Sequence, residues 1–268
     1  MQKKFKLLGL SLMILAVIIL LYAWGFAMQT VDYYISSDKI NDKLKIVFIS
    51  DLHNCTYGGA DQSGLLDEIH NADPDLVLFG GDVIDQYDDY DNALTLMSEV
   101  AKEYPACYTS GNHEHKRSDL EQFRRQVSET GIHCLEEGKS FQLTVRNQNV
   151  RIYGVLEPNE LFMLDTPVDE NYYNILLAHF PQYINRYLSN NFDLILSGHA
   201  HGGQWRLPFI LEQGLYAPDQ GIFPSYTNGM YTYGDSVHII SKGLARTKRM
   251  ILIPRIFNRP EFSVIEIS

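Results

Sequence analysis

Five short apolar runs, each ending in a cluster of acids, histidines, amides and glycines, constrain this chain more than any other feature. The runs are 44–50, 75–79, 106–110, 174–178 and 193–197. Each is too short for a stable helix and almost free of polar residues, as expected of a strand buried on both faces. Between them lie apolar residues at helical spacing. Leu65, Leu66 and Ile69 follow Ser63, the expected N-cap. Ala93, Leu94, Met97, Val100 and Ala101 form a second stripe, and Leu120, Phe123 and Val127 a third, with Gly131 as its expected C-terminal cap. A further helix is expected over 181–188. The runs 141–145 and 150–155 flank Asn147-Gln148-Asn149 and read as a hairpin. The tail carries strands over 237–241 and 262–267. Strands alternating with helices and then giving way to hairpins imply an α/β domain with mixed sheets over 44–268. Residues 29–43 are polar and irregular and read as a tether.

The polar clusters follow in order. They are Asp51-Leu52-His53; Gly80-Gly81-Asp82 with Asp85 close behind; Gly111-Asn112-His113-Glu114; His179; and Gly198-His199-Ala200-His201-Gly202-Gly203. In open α/β sheets, sites gather at the carboxyl ends of strands, so all five clusters are expected to converge. Residues one position apart in extended chain point the same way. Asp51 with His53, and His199 with His201, should therefore each aim a pair of donors at one place. Carboxylate, imidazole and amide oxygen without thiolate suit Mn, Fe, Zn or Mg. The set is larger than the roughly three or four protein ligands of a single zinc. It suits two ions sharing a carboxylate, about 3.5–4 Å apart.

A lone Asp after a strand is ordinarily a turn residue, and a lone His is ordinarily structural. His70, His115, His133 and His238 accordingly receive no role, and Glu114 reads as a supporting or turn residue. Asn54-Cys55-Thr56 matches a glycosylation acceptor, but it adjoins His53 and reads as chance.

The ordered motifs D-x-H, G-D-x-x-D, G-N-H-E, H and G-H-x-H resemble those of the calcineurin-like metallophosphoesterase superfamily, and the resemblance covers about residues 44–268. Within it the chain is most similar to a membrane-associated bacterial branch. That branch shares the form His199-Ala200-His201-Gly202-Gly203-Gln204 and a tail like Ser241-Lys242-Gly243-Leu244 leading to Arg259-Pro260-Glu261. The resemblance implies a four-layer fold, two mixed sheets sandwiched between helices. It implies one metal held by Asp51, His53, Asp82 and His201, and a second held by Asp82, Asn112, His179 and His199, with Asp82 as the bridge. It implies His113 as a non-ligand that protonates the leaving oxygen or holds the phosphoryl group, oriented by Asp85. The expected reaction is hydrolysis of a phosphoester or pyrophosphate by in-line attack of a metal-bridging hydroxide. Lipid A pyrophosphatases are similar as well, which brings a lipid-linked or cell-envelope substrate into the expectation. The alternatives on the same fold are a nucleotide phosphodiesterase and a protein phosphatase. The alternative of another class is a non-catalytic, membrane-anchored scaffold, against which the completeness of the ligand set argues.

Lys3, Lys4 and Lys6 precede an uncharged apolar stretch over 7–28 that ends among Tyr22, Trp24 and Phe26. About 20 apolar residues in a helix span a bilayer core, and aromatic rings favour its interface. The stretch therefore reads as an N-terminal transmembrane anchor over 1–28. Lysines before the span and Asp32 after it place the catalytic domain outside the cytoplasm, on a single-pass membrane protein. The competing reading is a cleaved signal peptide ending near Gly25-Phe26-Ala27. The net charge of −11 argues against nucleic acid as a partner, whereas a small phosphoester is admitted once cations reverse the local charge. Cys55, Cys107 and Cys134 form no disulfide framework.

Trp205, Phe209, Tyr216, Phe223, Tyr226, Tyr231 and Tyr233 crowd residues 204–235. They read first as a structured loop packed on the core, and second as a pocket wall or a surface touching lipid. Arg206, Arg246, Lys248 and Arg249 are candidates to pair with a second phosphate, with solvated surface as the default.

Overall fold

A computed structural model describes residues 11, 13, 14, 27–135, 138–246 and 255–268. Its strands are β1 (Gln29–Ile35), β2 (Leu44–Ile49), β3 (Leu76–Gly80), β4 (Ala106–Thr109), β5 (His133–Cys134), β6 (Ser140–Val145), β7 (Gln148–Val155), β8 (Tyr173–Ala178), β9 (Leu194–Ser197), β10 (Tyr216–Ala217), β11 (Gly221–Ile222), β12 (Gly229–Tyr233), β13 (Ser236–Ile240) and β14 (Glu261–Ile267). One sheet has the order β1-β14-β2-β3-β4-β5 and the other β12-β13-β9-β8-β7-β6; β10 and β11 form a small separate hairpin. Both large sheets are mixed. In the first, β14 runs antiparallel to β2 while β2, β3 and β4 are parallel. In the second, β7, β8, β9 and β13 are parallel, and β6 and β12 pair antiparallel at the edges.

The unbroken apolar runs follow from burial on both faces. Ile46 and Phe48 of β2 point inward and meet Ile152, Ile175, Leu177 and Leu196 of the other sheet. Val47 and Ile49 point the opposite way, onto Leu65, Ile69, Leu96, Met97, Phe123 and Val127 of the helices. Those helices are Ser63–Ala72, Asp91–Glu103 and Leu120–Glu129. The far face of the second sheet packs Tyr153, Leu176 and Ile195 against Ile184, Tyr187 and Phe192. This outer layer is thin. The helix expected over 181–188 is 3-10 at Pro181–Tyr183, α at Ile184–Tyr187 and 3-10 again at Leu188–Asn190. The layering is thus the expected α/β/β/α.

Two local expectations are corrected. Ser63 is the first residue of its helix rather than its cap. Gln62, at φ 59, precedes it, and its buried side chain accepts from Tyr57 N–H and donates to the carbonyls of Cys55 and Asn92. The stretch read as an irregular tether holds β1, which pairs in parallel with β14. Val31, Tyr33 and Ile35 face the inter-sheet core while Thr30, Asp32 and Tyr34 face solvent. An edge strand wet on one side carries only half an apolar signal. The expected span over 7–28 lies outside the described residues, save for Ser11, Met13, Ile14, Ala27 and Met28. Among the described residues no helix is long and apolar enough to cross a membrane.

Candidate metal centre

Parallel strands bring their carboxyl ends to one edge. Asp51 and His53 follow β2, Asp82 and Asp85 follow β3, and Asn112 and His113 open a one-turn helix after β4. His179 follows β8, and His199 and His201 follow β9. The two edges meet directly, because the His199 N–H donates to Asp51 Oδ1 at 2.9 Å. Three overlapping groups result: Asp51-His53-His201, His53-Asp82-His113 and Asp82-His179-His199.

Asp82 sits between the groups. Its Oδ2 lies 3.8 Å from His53 Nε2 and 3.2 Å from His179 Nε2, while its Oδ1 accepts the His113 N–H at 2.8 Å. His179 Nδ1 lies 2.9 Å from the Gly80 carbonyl. A carbonyl only accepts, so Nδ1 carries a proton, and Nε2 is the nitrogen turned inward toward Asp82. Asp85 faces two rings, His113 Nδ1 at 3.4 Å and His53 Nδ1 at 3.7 Å.

The route to convergence differs from the expected one. Asp51, His53, Asp82, His199 and His201 are not extended but left-handed, with φ of 49, 49, 49, 67 and 47°. Such backbone costs roughly 1–3 kcal/mol per residue and concentrates at functional sites. It also separates His199 from His201: the first turns toward Asp82 and His179, the second toward Asp51 and His53. Close approach of backbone requires two glycines here. A Cβ on Gly243, at φ 70, would stand 2.5 Å from the Asp51 Cβ, and one on Gly198 would strike the Asp51 carboxylate.

The charges oppose one another at short range. Burial penalises the Asp82 carboxylate, but His179, His53 and His113 outweigh it and hold its pKa well below the usual range. Burial likewise works against the His179 cation, yet Asp82 pushes its pKa up to about 10. His53 is raised as well, Asp85 and Asp82 overcoming its burial. His199 is lowered to about 4, by burial first and then by the neighbouring His179 charge. His201 is driven well down by burial, then by His53 and Arg255.

A divalent cation fits this donor set. His53 Nδ1 and Nε2, His179 Nε2, His201 Nδ1 and Asn112 Oδ1 are buried and make no hydrogen bond among the described residues. Buried polar atoms are seldom left so. Four of the seven side chains expected as ligands, His53, Asn112, His179 and His201, thus present buried atoms that want a partner.

Four residues had little or no sequence signal. Glu114, read as a turn or supporting residue, is fully buried and accepts four backbone N–H groups: Asp82 at 2.9 Å, Val83 at 2.7 Å, Ile84 at 3.2 Å and Gly111 at 2.9 Å. It locks the loops after β3 and β4 together. Asp219 reaches His199 Nε2 at 2.8 Å from the tip of the β10–β11 hairpin. Its Pro-Asp-Gln-Gly context signals a turn but says nothing of where the turn lands. Gly243 matters only through its contact with Asp51. Arg255 is buried, donates Nη2 to the Lys242 carbonyl at 2.7 Å, and has no partner for Nε and Nη1 among the described residues.

The other sequence candidates settle elsewhere. Arg246 lies over the Tyr57 ring at 4.0 Å and Arg206 bonds Asn228, while Lys248 and Arg249 lie outside the described residues. His70 pairs with Glu103, His115 meets Arg124, His133 stacks on Phe141 and His238 meets Ser197 Oγ. None of these four joins the centre.

A domain of two mixed sheets that gathers carboxylate, imidazole and amide at one edge defines a metal-dependent phosphoester hydrolase. The family model for calcineurin-like phosphoesterases matches residues 44–203, and the chain belongs to that family. It is 26% identical to the uncharacterized metallophosphoesterase YkuE of Bacillus subtilis, over 90% of this chain and 85% of that one. It is 27% identical to the phosphodiesterase YaeI of Escherichia coli K12, over 83% and 82%. Among solved structures, the NAD nucleotidase NadN of Haemophilus influenzae is similar with a TM-score of 0.47 and 16% identity, covering 75% of this chain and 45% of that one.

Proposed function

We propose that this chain hydrolyses a phosphoester or pyrophosphate bond at a centre that takes two divalent cations. Asp51, His53, Asp82 and His201 would hold one, and Asp82, Asn112, His179 and His199 the other, with Mn, Fe, Zn or Mg suited to the donors. The observation that carries this reading is Asp82 Oδ2, placed between His53 Nε2 and His179 Nε2 at 3.8 and 3.2 Å. When bound, such cations acidify water and offset the negative charge of a phosphate.

The protein's own groups supply the rest. His113 turns Nδ1 toward Asp85 and so has Nε2 to give a proton to a departing oxygen. Arg255 brings a buried guanidinium whose Nε and Nη1 have no partner among the described residues, suited to a phosphoryl oxygen. Glu114 fixes the loops that carry Asp82, Asn112 and His113. The similarity to YaeI, a phosphodiesterase, favours a diester as substrate. The apolar segment over 7–28 favours a lipid-linked or envelope substrate and a single-pass membrane protein with its catalytic domain outside the cytoplasm.

The test is metal content beside turnover of the detergent-purified full chain on p-nitrophenyl phosphate, its bis ester and a lipid pyrophosphate. The parent should carry close to two metals. Asp82→Asn should lose both metal and turnover. His113→Ala should keep its metal and lose about 10²–10⁴-fold in turnover. A parent with neither metal nor turnover, matched by both variants, would overturn the reading in favour of a scaffold.

A further inference from the structure

The end of the molecule that carries the candidate metal centre also carries several exposed apolar side chains. Between Gly203 and Gly229 the chain leaves the core and shows solvent Phe209 at 94% exposure, Ile210 at 77%, Ile222 at 68% and Phe223 at 69%. Large apolar side chains bared together on one loop system are uncommon on a surface that meets only water. The loop is firmly built. Leu215 N–H donates to the carbonyls of Gly203 and Trp205, Phe223 N–H donates to Leu215, and Asp219 between β10 and β11 reaches His199. The apolar tips therefore stand in fixed relation to the centre.

The N-terminal apolar segment is delivered to the same end by topology. β14 runs antiparallel to β2, with Ser263 opposite Phe48, so the start of β14 lies beside the end of β2, where Asp51 begins. β1 runs parallel to β14, with Gln29 opposite Glu261. The first residue of β1 therefore stands at the metal edge, not at the opposite one. Arg259 holds the chain there, donating to the carbonyls of Ala27 and Met28 at 2.8 and 2.7 Å. The exposed loop is tied to the same segment: Arg206 N–H donates to Ile256, Ile256 N–H donates to Gln204, and Trp205 pairs with Ile256 as a parallel bridge. Residues 7–28, uncharged and apolar, end at this point.

From this convergence we propose that Phe209, Ile210, Ile222 and Phe223 form a bilayer-docking surface that holds the mouth of the metal centre against the membrane. The site then opens onto the lipid face, and its substrate is a phosphoester presented by a lipid headgroup. Side chains of this kind settle at the boundary between headgroups and acyl chains. The substrate class rests on the proposed hydrolase reading; the docking surface does not.

The experiment uses the full chain in phosphatidylethanolamine–phosphatidylglycerol vesicles. Trp24→Phe leaves Trp205, 41% exposed on this loop, as the sole tryptophan. Brominated phospholipids should quench its emission on the order of twofold relative to plain vesicles, as a ring seated at the interface requires. Adding Phe209→Ser, Ile210→Ser, Ile222→Ser and Phe223→Ser should abolish the quenching and lower turnover of a lipid phosphoester in the bilayer, with p-nitrophenyl ester turnover unchanged. Equal emission in both vesicles overturns the docking surface. So does a blue-shifted emission that bromine does not quench, which would mean that residues 7–26 or a second copy cover the patch. Quenching in a chain with no esterase activity on any substrate would leave docking standing and defeat the hydrolase reading instead.

Discussion

His238 shows how one buried imidazole governs acid stability without touching the reaction. It belongs to β13 of the second sheet, with Nε2 on Ser197 Oγ, and burial holds its pKa down, to about 3 against an ordinary 6.5. Above pH 6.5 it is neutral both folded and unfolded, and pH does not act through it. Below that, the unfolded chain takes up a proton that the folded chain refuses. Stability should therefore fall by about 1.4 kcal/mol per pH unit as pH drops through this window toward 3. His238→Gln keeps a donor for Ser197 and removes the titration. Urea midpoints at pH 7 and pH 4 should separate more widely for the parent than for this variant, and parallel curves would clear His238. Gly243 acts by size instead. Gly243→Ala places a methyl 2.5 Å from the Asp51 Cβ at a φ of 70°, so metal content should fall while the sheets remain folded, as circular dichroism beside metal analysis would show.

Two elements carry more than their lengths suggest. Glu114 is one residue of a four-residue helix, yet its carboxylate gathers four N–H groups from two loops, with burial and Asp82 holding its pKa up, to about 7. Glu114→Ala orphans those donors and should cost on the order of 3 kcal/mol or more in chemical denaturation. Glu114→Gln should be little better. Each carboxylate oxygen accepts two N–H groups, so an amide NH2 faces donors in either orientation. β1 is the second such element. It shields the edge of β14 and places Val31, Tyr33 and Ile35 in the inter-sheet core. A chain begun at Leu44 leaves that edge unpaired and should aggregate, while one begun at Ala27 should elute as a single species in size exclusion. Equal behaviour of the two would show β1 to be dispensable.

Across the whole molecule, metal binding should join the two sheets. Asp51, His53, Asp82 and Asn112 belong to the first sheet and His179, His199 and His201 to the second, so ions held among them cross-link the two edges. A site at a hundredfold excess over its Kd adds about 2.7 kcal/mol to the folded state. Chelation should therefore lower the thermal midpoint, and Mn²⁺ should restore it. Because the pocket attracts protons at His179 and His53, metal uptake should also release protons. Calorimetry in two buffers of different ionisation enthalpy reads this directly, and heats independent of buffer would contradict it.

The central strands and most of the residues gathered at the candidate centre were legible in the order of residues. A strand buried on both faces must be apolar throughout, and groups able to hold a metal at its end must be polar, so runs such as 44–50 followed by Asp51 and His53 stand out in one dimension. β1 was not legible, because a half-wet edge strand looks like a polar linker until β14 is beside it. Asp219, Arg255 and Gly243 were not legible either, since each acquires its role from a residue far away in sequence: His199, the Lys242 carbonyl and Asp51. The same limit applies to the way His199 and His201 part. Spacing alone put them on one side, but left-handed backbone at both sends them to different groups. Local patterning determined which residues are strands and which polar residues stand at their ends. Tertiary packing alone decided which partners those residues meet, because contacts between distant segments leave no period in the sequence.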